Sequence, residues 1–233
     1  MIDFPAELRL ILVDLHKTLC LAWHEAFAAY PNVEVVCGRF QDLPEFDCLV
    51  SPGNSFGLMD GGVDKAIVDY YGPALQARVR QDIFNQYLGE QPVGTSLIVE
   101  TGNPKHPYLA HTPTMRVPQA ICGTDYVYLA MRAMLLAIRA HNAEIAMLSA
   151  IADRIAPGIS EIRSVSCPGL GTGTGKVVPA AAAAQMALAY ASTLPKAGDG
   201  GHEQYPGWPE ALRRQRAIKR ACRGVNDACE FSR

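Results

Sequence analysis

Fourteen consecutive residues narrow the possible architectures of this chain further than any other segment: Ser51-Pro52-Gly53-Asn54-Ser55-Phe56-Gly57-Leu58-Met59-Asp60-Gly61-Gly62-Val63-Asp64. They follow a short apolar run, Asp47-Cys48-Leu49-Val50, and precede helical periodicity from Lys65. A strand that ends in a glycine-rich turn and opens a helix presents bare backbone N–H groups and a positive helix end to solvent. That arrangement suits an anion or a polyol. Gly53, Gly57, Gly61 and Gly62 admit positive φ and let a ligand approach the main chain. Asn54 and Asp64 place one amide and one carboxylate at the two ends of the loop.

Strands alternate with helices along the chain. Apolar strand-like runs cover Leu8 to Leu15, Val33 to Cys37, Asp47 to Val50, Ser96 to Glu100, Tyr108 to His111 and Ile162 to Cys167. Helical spacing covers Leu19 to Tyr30, Asp64 to Tyr71, Pro73 to Leu88, Tyr126 to His141 and Ala180 to Ala191, the fourth with an apolar stripe at Leu129, Ala133, Leu136 and Ala137. This alternation predicts an α/β fold with buried strands. The 233 residues, 49% hydrophobic, suffice for one domain with a tail, and composition changes near Pro195. We read 1–194 as the domain and 195–233 as a Gly/Pro linker with a basic helical appendage. Trp208 and Tyr205 either fold that end back over the domain or belong to the linker.

The net charge of −2 gives no global electrostatic case for nucleic acid or an anionic membrane, and no apolar run is long enough to span a bilayer. Nucleic acid is expected only through the basic stretch Arg213, Arg214, Arg216, Lys219, Arg220 and Arg223, for which a solvated helix face is the simpler reading. The seven cysteines form no paired framework, and Cys20, Cys37, Cys48, Cys122 and Cys167 read as buried thiols. Together with an N-terminus lacking signal-peptide features, they predict a cytoplasmic protein. No His/Cys cluster has metal-ligand spacing, so neither metal nor cofactor is expected.

A second glycine loop, Pro168-Gly169-Leu170-Gly171-Thr172-Gly173-Thr174-Gly175-Lys176, also lies between a strand and a helix. Its main-chain N–H groups can wrap a diphosphate. A phosphate-binding P-loop is excluded because Val177, not Ser or Thr, follows the lysine.

Together the two loops resemble the macrodomain signature, in the form carried by MacroD-like hydrolases and in a divergent bacterial or phage-type version. Asp47 to Asn54 resembles the family's strand of the type D-A-I-V-N-A-A-N, and Gly61-Gly62-Val63-Asp64 its G-G-G-V-D loop. His111-Thr112 resembles its I-H-T segment, and Ser166 to Lys176 stands where the family has its diphosphate loop. The resemblance implies a three-layer α/β/α fold with a central mixed sheet and a cleft for ADP-ribose or an ADP-ribosylated substrate. It implies that Asn54 binds the distal ribose and that Asp64 positions or activates water near C1″. It further implies binding by Ser51, Gly53, Ser55, Phe56, Gly61, Gly62 and Val63 on one side. Gly169, Leu170, Gly171, Thr172, Gly173 and Thr174 would close over the diphosphate from the other.

The chain departs from the pattern. Ser51 replaces an asparagine, Asp60 a glycine, and Arg39 stands where an aspartate accepts from the adenine amino group. No aromatic occupies the second loop, which leaves Phe56 to stack on the ribose. Three readings of function follow: a hydrolase of an ADP-ribosyl linkage, a reader module that binds without turnover, or a divergent member that takes another ligand, its adenine site lost. Asn54 also fits a plain turn residue, Asp64 a helix-start carboxylate, and His111 a satisfied core histidine. Asp14-Leu15-His16-Lys17-Thr18 resembles a haloacid-dehalogenase nucleophile loop, but His16 replaces its second aspartate. We read Asp14 and His16 as a strand end and Thr18 as the cap of the next helix.

Overall fold

A computed structural model describes residues 8–151, 160–194 and 207–223. Six strands form one sheet in the order β2-β1-β6-β3-β5-β4. They are β1 (Arg9–Asp14), β2 (Val33–Cys37), β3 (Cys48–Ser51), β4 (Leu97–Glu100), β5 (Tyr108–His111) and β6 (Ser164–Cys167). All pair in parallel except β4, which runs antiparallel to β5 at one edge. The helices are α1 (Lys17–Ala26), α2 (Gly62–Tyr71), α3 (Pro73–Tyr87), α4 (Tyr126–Ile151), α5 (Pro179–Thr193) and α6 (Trp208–Arg223).

Strand side chains alternate between faces. Leu10, Leu12, Cys48, Val50, Tyr108, Ala110, Val165 and Cys167 pack into one core with residues of α1, α4 and α5. Ile11, Val13, Leu49 and Leu109 pack into a second core with α2 and α3. Two cores on opposite faces of one mixed sheet make the three α/β/α layers that the sequence implied. Trp23 of α1, fully buried, directs its indole N–H at Met186 of α5 across 3.4 Å. The Asp47 carboxylate accepts from Arg163 N, Ser164 N and Ser164 Oγ at 2.7–2.9 Å, which fixes β3 beside β6. That pairing is brief: only Cys48–Val165 and Leu49–Ser166 are in register, and the strands part beyond them.

Several expectations need correction. Of the stripe expected on α4, Ala133 is buried and Leu129 packs partly buried against the core, but Leu136 is exposed, and the buried face runs on through Val127, Met131, Met134, Leu135 and Ile138. The helix is apolar around most of its girth, so periodicity could not choose the face. It also continues ten residues past His141. Helix α1 begins at Lys17 with Thr18 inside it; the Asp14 carboxylate, not Thr18, receives the His16 N–H, at 2.9 Å. Cys20, Cys48 and Cys167 are buried thiols, but Cys37 is exposed at the end of the edge strand β2, and Cys122 is disulfide-bonded. Trp208 is 80% exposed and does not fold back. Tyr205 and the linker lie outside the described residues. Helix α6 packs on α5, with Ile218 and Cys222 buried in the first core. No helix among the described residues is long and apolar enough to cross a membrane.

Candidate functional site

Where β3 and β6 part, the two glycine loops face each other across a cleft of about 130 Å³. One wall carries Gly53, Asn54, Gly61, Gly62, Val63 and Asp64, the other Gly169, Gly171, Gly173 and Thr174. Pro52, Leu58, Asp60, Thr114, Met115, Pro118 and Gly175 complete the lining. A larger groove, about 500 Å³, lies between α5 and α6 and is lined by Arg213, Arg214, Arg216 and Arg220. It shares no lining residue with the glycine loops. The smaller cleft, unlike the larger groove, has a buried carboxylate, Asp64, in its lining.

Helix α2 starts against the cleft with Gly61 as its cap and no side chain bonding its first N–H groups. Those donors and the positive end of the helix therefore face the void. Across from them the second loop is fixed by Val177 N to Gly171 O, Lys176 N to Gly173 O and Ile121 N to Gly175 O, at 2.8–3.1 Å. Among the described residues, the N–H groups of Thr172, Gly173 and Thr174 have no acceptor. Gly175 is required by close approach, since a side-chain carbon there would stand 2.5 Å from the Gly171 carbonyl oxygen. Of the four glycines in the first loop that admit positive φ, Gly57 and Gly62 adopt it. Gly53 is needed for space instead: a side-chain carbon there would lie 2.6 Å from His111 Nε2 and 3.2 Å from Asp64 Oδ2.

Asp64 is 8% exposed, and its Oδ1 accepts the Ser51 hydroxyl at 2.8 Å. Burial lifts its carboxyl to about 6; the Ser51 hydrogen bond opposes the rise and the Asp60 charge adds to it. Ser51 thus sits beneath the cleft as a support for Asp64 and does not line it. Asn54 lines the cleft, but its side chain holds the loop: Nδ2 donates to Leu58 O at 2.7 Å, and Oδ1 accepts from Phe56 N and Leu58 N. That is the Asx-turn role of a turn asparagine. Ser55 and Leu170 are buried away from the void, and Thr172 is outside the lining. Phe56 does not line the cleft. It faces Phe84 and Arg80 on the outer surface, with the Arg116 guanidinium 5.7 Å from its ring centre. Leu58, three residues short of Gly61, takes the apolar place at the cleft mouth.

His111 is fully buried, and Nδ1 meets Gln91 Oε1 at 2.7 Å, but Nε2 has no partner. It is therefore only half satisfied, against expectation. Thr114, Met115 and Pro118 were missed because they reach the cleft through the pairing of β5 with β3, which no local pattern announces. Among the described residues no three His, Cys, Asp or Glu side chains stand together as a metal site.

A doubly covered, mostly parallel sheet whose parted strands hold two orphan-amide loops defines a nucleotide- or phosphosugar-type binding domain. The Macro domain family model matches residues 50–187, and the chain belongs to that family. An uncharacterized protein of Aquifex aeolicus (strain VF5) is 29% identical over 155 residues, covering 66% of this chain and 78% of the relative. The macrodomain of Mycobacterium tuberculosis DarG is similar at 20% identity and TM-score 0.49, covering 66% of this chain and 87% of that one. An Oceanobacillus iheyensis macrodomain mutant with ADPR is similar at 17% identity and TM-score 0.49, over 94% of each chain.

Proposed function

We propose that this protein binds ADP-ribose in the cleft and hydrolyses an ADP-ribosyl linkage, an ester or a related bond, with water activated by Asp64. Membership of the macro domain family supports the ligand. The observation that carries the chemistry is Asp64: a buried carboxylate at the junction of two amide-lined loops, held by Ser51 and raised to about 6. The diphosphate lies between the start of α2 and the second loop, neutralised by main-chain N–H groups. The distal ribose reaches Asp64. Above pH 6 the ionised carboxylate takes a proton from water as its oxygen bonds to C1″. The C1″–O bond breaks, and its electron pair leaves on the acyl carboxylate. The same negative charge stabilises the electron-poor anomeric carbon. Asn54 contributes by fixing the loop.

A reader function is the second reading, favoured by two observations. The Asn54 carboxamide is committed to its own loop, and Asp60 puts a negative charge on the diphosphate path. Calorimetric titration with ADP-ribose, with AMP and ribose 5-phosphate as controls, tests the ligand. Binding tighter than ~100 μM, about 5.5 kcal/mol, that is absent with AMP is expected; no binding overturns the proposal. Asp64→Ala should keep ADP-ribose binding and lose turnover of an ADP-ribosyl ester. Binding by the wild type with no product from any ADP-ribosylated substrate would establish the reader instead.

A further inference from the structure

Strands β3 and β5 run side by side, and Ser51 stands opposite His111 in their register. Two residues earlier, Leu49 stands opposite Leu109, both in the apolar core beneath α2 and α3. The side-chain period of two places Ser51 and His111 on that same face. A buried polar pair thus interrupts an apolar sheet directly below the first glycine loop. Asp64 joins it from α2 through Ser51, and Gln91 joins it from the segment before β4.

The hydrogen bonds assign the histidine tautomer. Gln91 Nε2 donates to the His111 carbonyl oxygen at 3.2 Å, which turns Gln91 Oε1 toward Nδ1. Nδ1 therefore carries the proton, and Nε2 presents a lone pair. That atom is buried and has no partner. A buried acceptor left unpaired costs stability, and such atoms call for a use. Nε2 and Asp64 Oδ2 both point to the side of Gly53 that lacks a side chain, 2.6 and 3.2 Å from one shared point. Asp64 Oδ1 is already taken by Ser51, so Oδ2 and Nε2 are the two unused ends of one chain.

We propose that His111 is the proton partner of Asp64: the protonated carboxyl turns its Oδ2–H onto His111 Nε2 and closes a chain from Ser51 through Asp64 and His111 to Gln91. This rests on the hydrolytic reading above. In the step, the water O–H bond breaks as its oxygen joins C1″, and the proton passes to Oδ2. The new O–H then donates to Nε2 and returns its proton to solvent when Asp64 ionises after product release. Catalytic hydrogen bonds are often loose before the ligand is bound and tighten in the complex. His111 touches no substrate; it is a positioning residue acting through Asp64. Asp60 is the other charge facing Asp64, and burial alone keeps His111 neutral, with pKa lowered to about 4.

The test compares His111→Asn with His111→Gln. Asparagine retains a donor for Gln91 Oε1 and removes the acceptor at the Nε2 position; glutamine puts a polar atom back there. A hydrogen bond to protonated Asp64 raises its pKa, so the Asp64 carboxyl ¹³C titration should move down by half a unit or more in His111→Asn and recover in His111→Gln. On an ADP-ribosyl ester, His111→Asn should lower kcat at least tenfold with the Kd for ADP-ribose unchanged. In an Asp64→Asn background it should lower kcat no further. An unmoved titration in folded His111→Asn, or additive losses with Asp64→Asn, overturns the proposal. His111→Phe provides the same carboxyl titration should the asparagine variant not fold. A wild type with no turnover whose Asp64 titration still moves in His111→Asn would retain the pair and remove the hydrolytic reading.

Discussion

Asp64 is kept in the fold against its own preference for water. Its pKa is raised, so its stabilising protonated form is fully populated below the unfolded value near 3.9, and that contribution is lost as pH rises through about 6. Above that point the buried charge costs up to about 3 kcal/mol. Asp64→Asn removes the charge and still accepts the Ser51 hydroxyl. It should be more stable than the wild type by up to about 3 kcal/mol at pH 8, with the difference closing below pH 6 and absent near pH 4. Urea denaturation at three pH values measures this. His111 runs the other way: its contribution is complete above 6.5 and lost as pH falls through about 4, and it is common to both proteins. The sequence marked Asp64 by its spacing from Asn54. It did not disclose that Asn54 would turn inward, because an asparagine between glycines serves a turn and a ligand with the same atoms.

The glycine loops divide by what their missing side chains make room for. Gly175 faces the Gly171 carbonyl at a distance no side-chain carbon tolerates, whereas a carbon at Gly173 meets nothing within 4 Å. Gly175→Ala should therefore cost about 1–3 kcal/mol and weaken ADP-ribose binding at least tenfold. Gly173→Ala should stay within about 0.5 kcal/mol of the wild type. Thermal unfolding and calorimetry of the pair check both. At this scale the sequence was informative wherever a period was clean: Val33–Cys37 and Tyr108–His111 stand as read. It was silent on the short 3₁₀ turn Phe40–Asp42, where three residues carry no period, although Phe40 is buried and its ring packs edge-on against Tyr70. It placed the inner face of α4 only in part, through Leu129 and Ala133 but not Leu136, because alanine and methionine supply apolar surface on nearly every side.

Across the molecule the two cores answer to different duties. The core beneath α1, α4 and α5 contains Trp23 and two buried polar side chains, Gln185 and Asn142, that bond to main-chain groups of Tyr128, Thr124 and Ile162; the face beneath α2 and α3 admits Ser51, Asp64 and His111. Trp23→Ala should cost about 3–5 kcal/mol in urea denaturation and leave the Kd for ADP-ribose unchanged, because Trp23 packs on α5 and takes no part in the cleft lining. A loss of affinity would show that the layers are coupled. The layer class was legible from alternating strands and helices. The strand order was not, since β1 pairs with β6 across most of the chain and nothing local to either announces the other. The lining of the cleft by Thr114, Met115 and Pro118 is hidden for the same reason.

The sheet's central seam is left unfinished. Beyond Leu49 and Ser166 the two middle strands have no register with each other, and the space between them is bounded by loops instead of ladder hydrogen bonds. A ligand seated there spans the halves of the molecule much as a keystone spans an arch. Force applied to separate β3 from β6 would then meet its main resistance in the bound molecule, and the empty protein would yield along that line first.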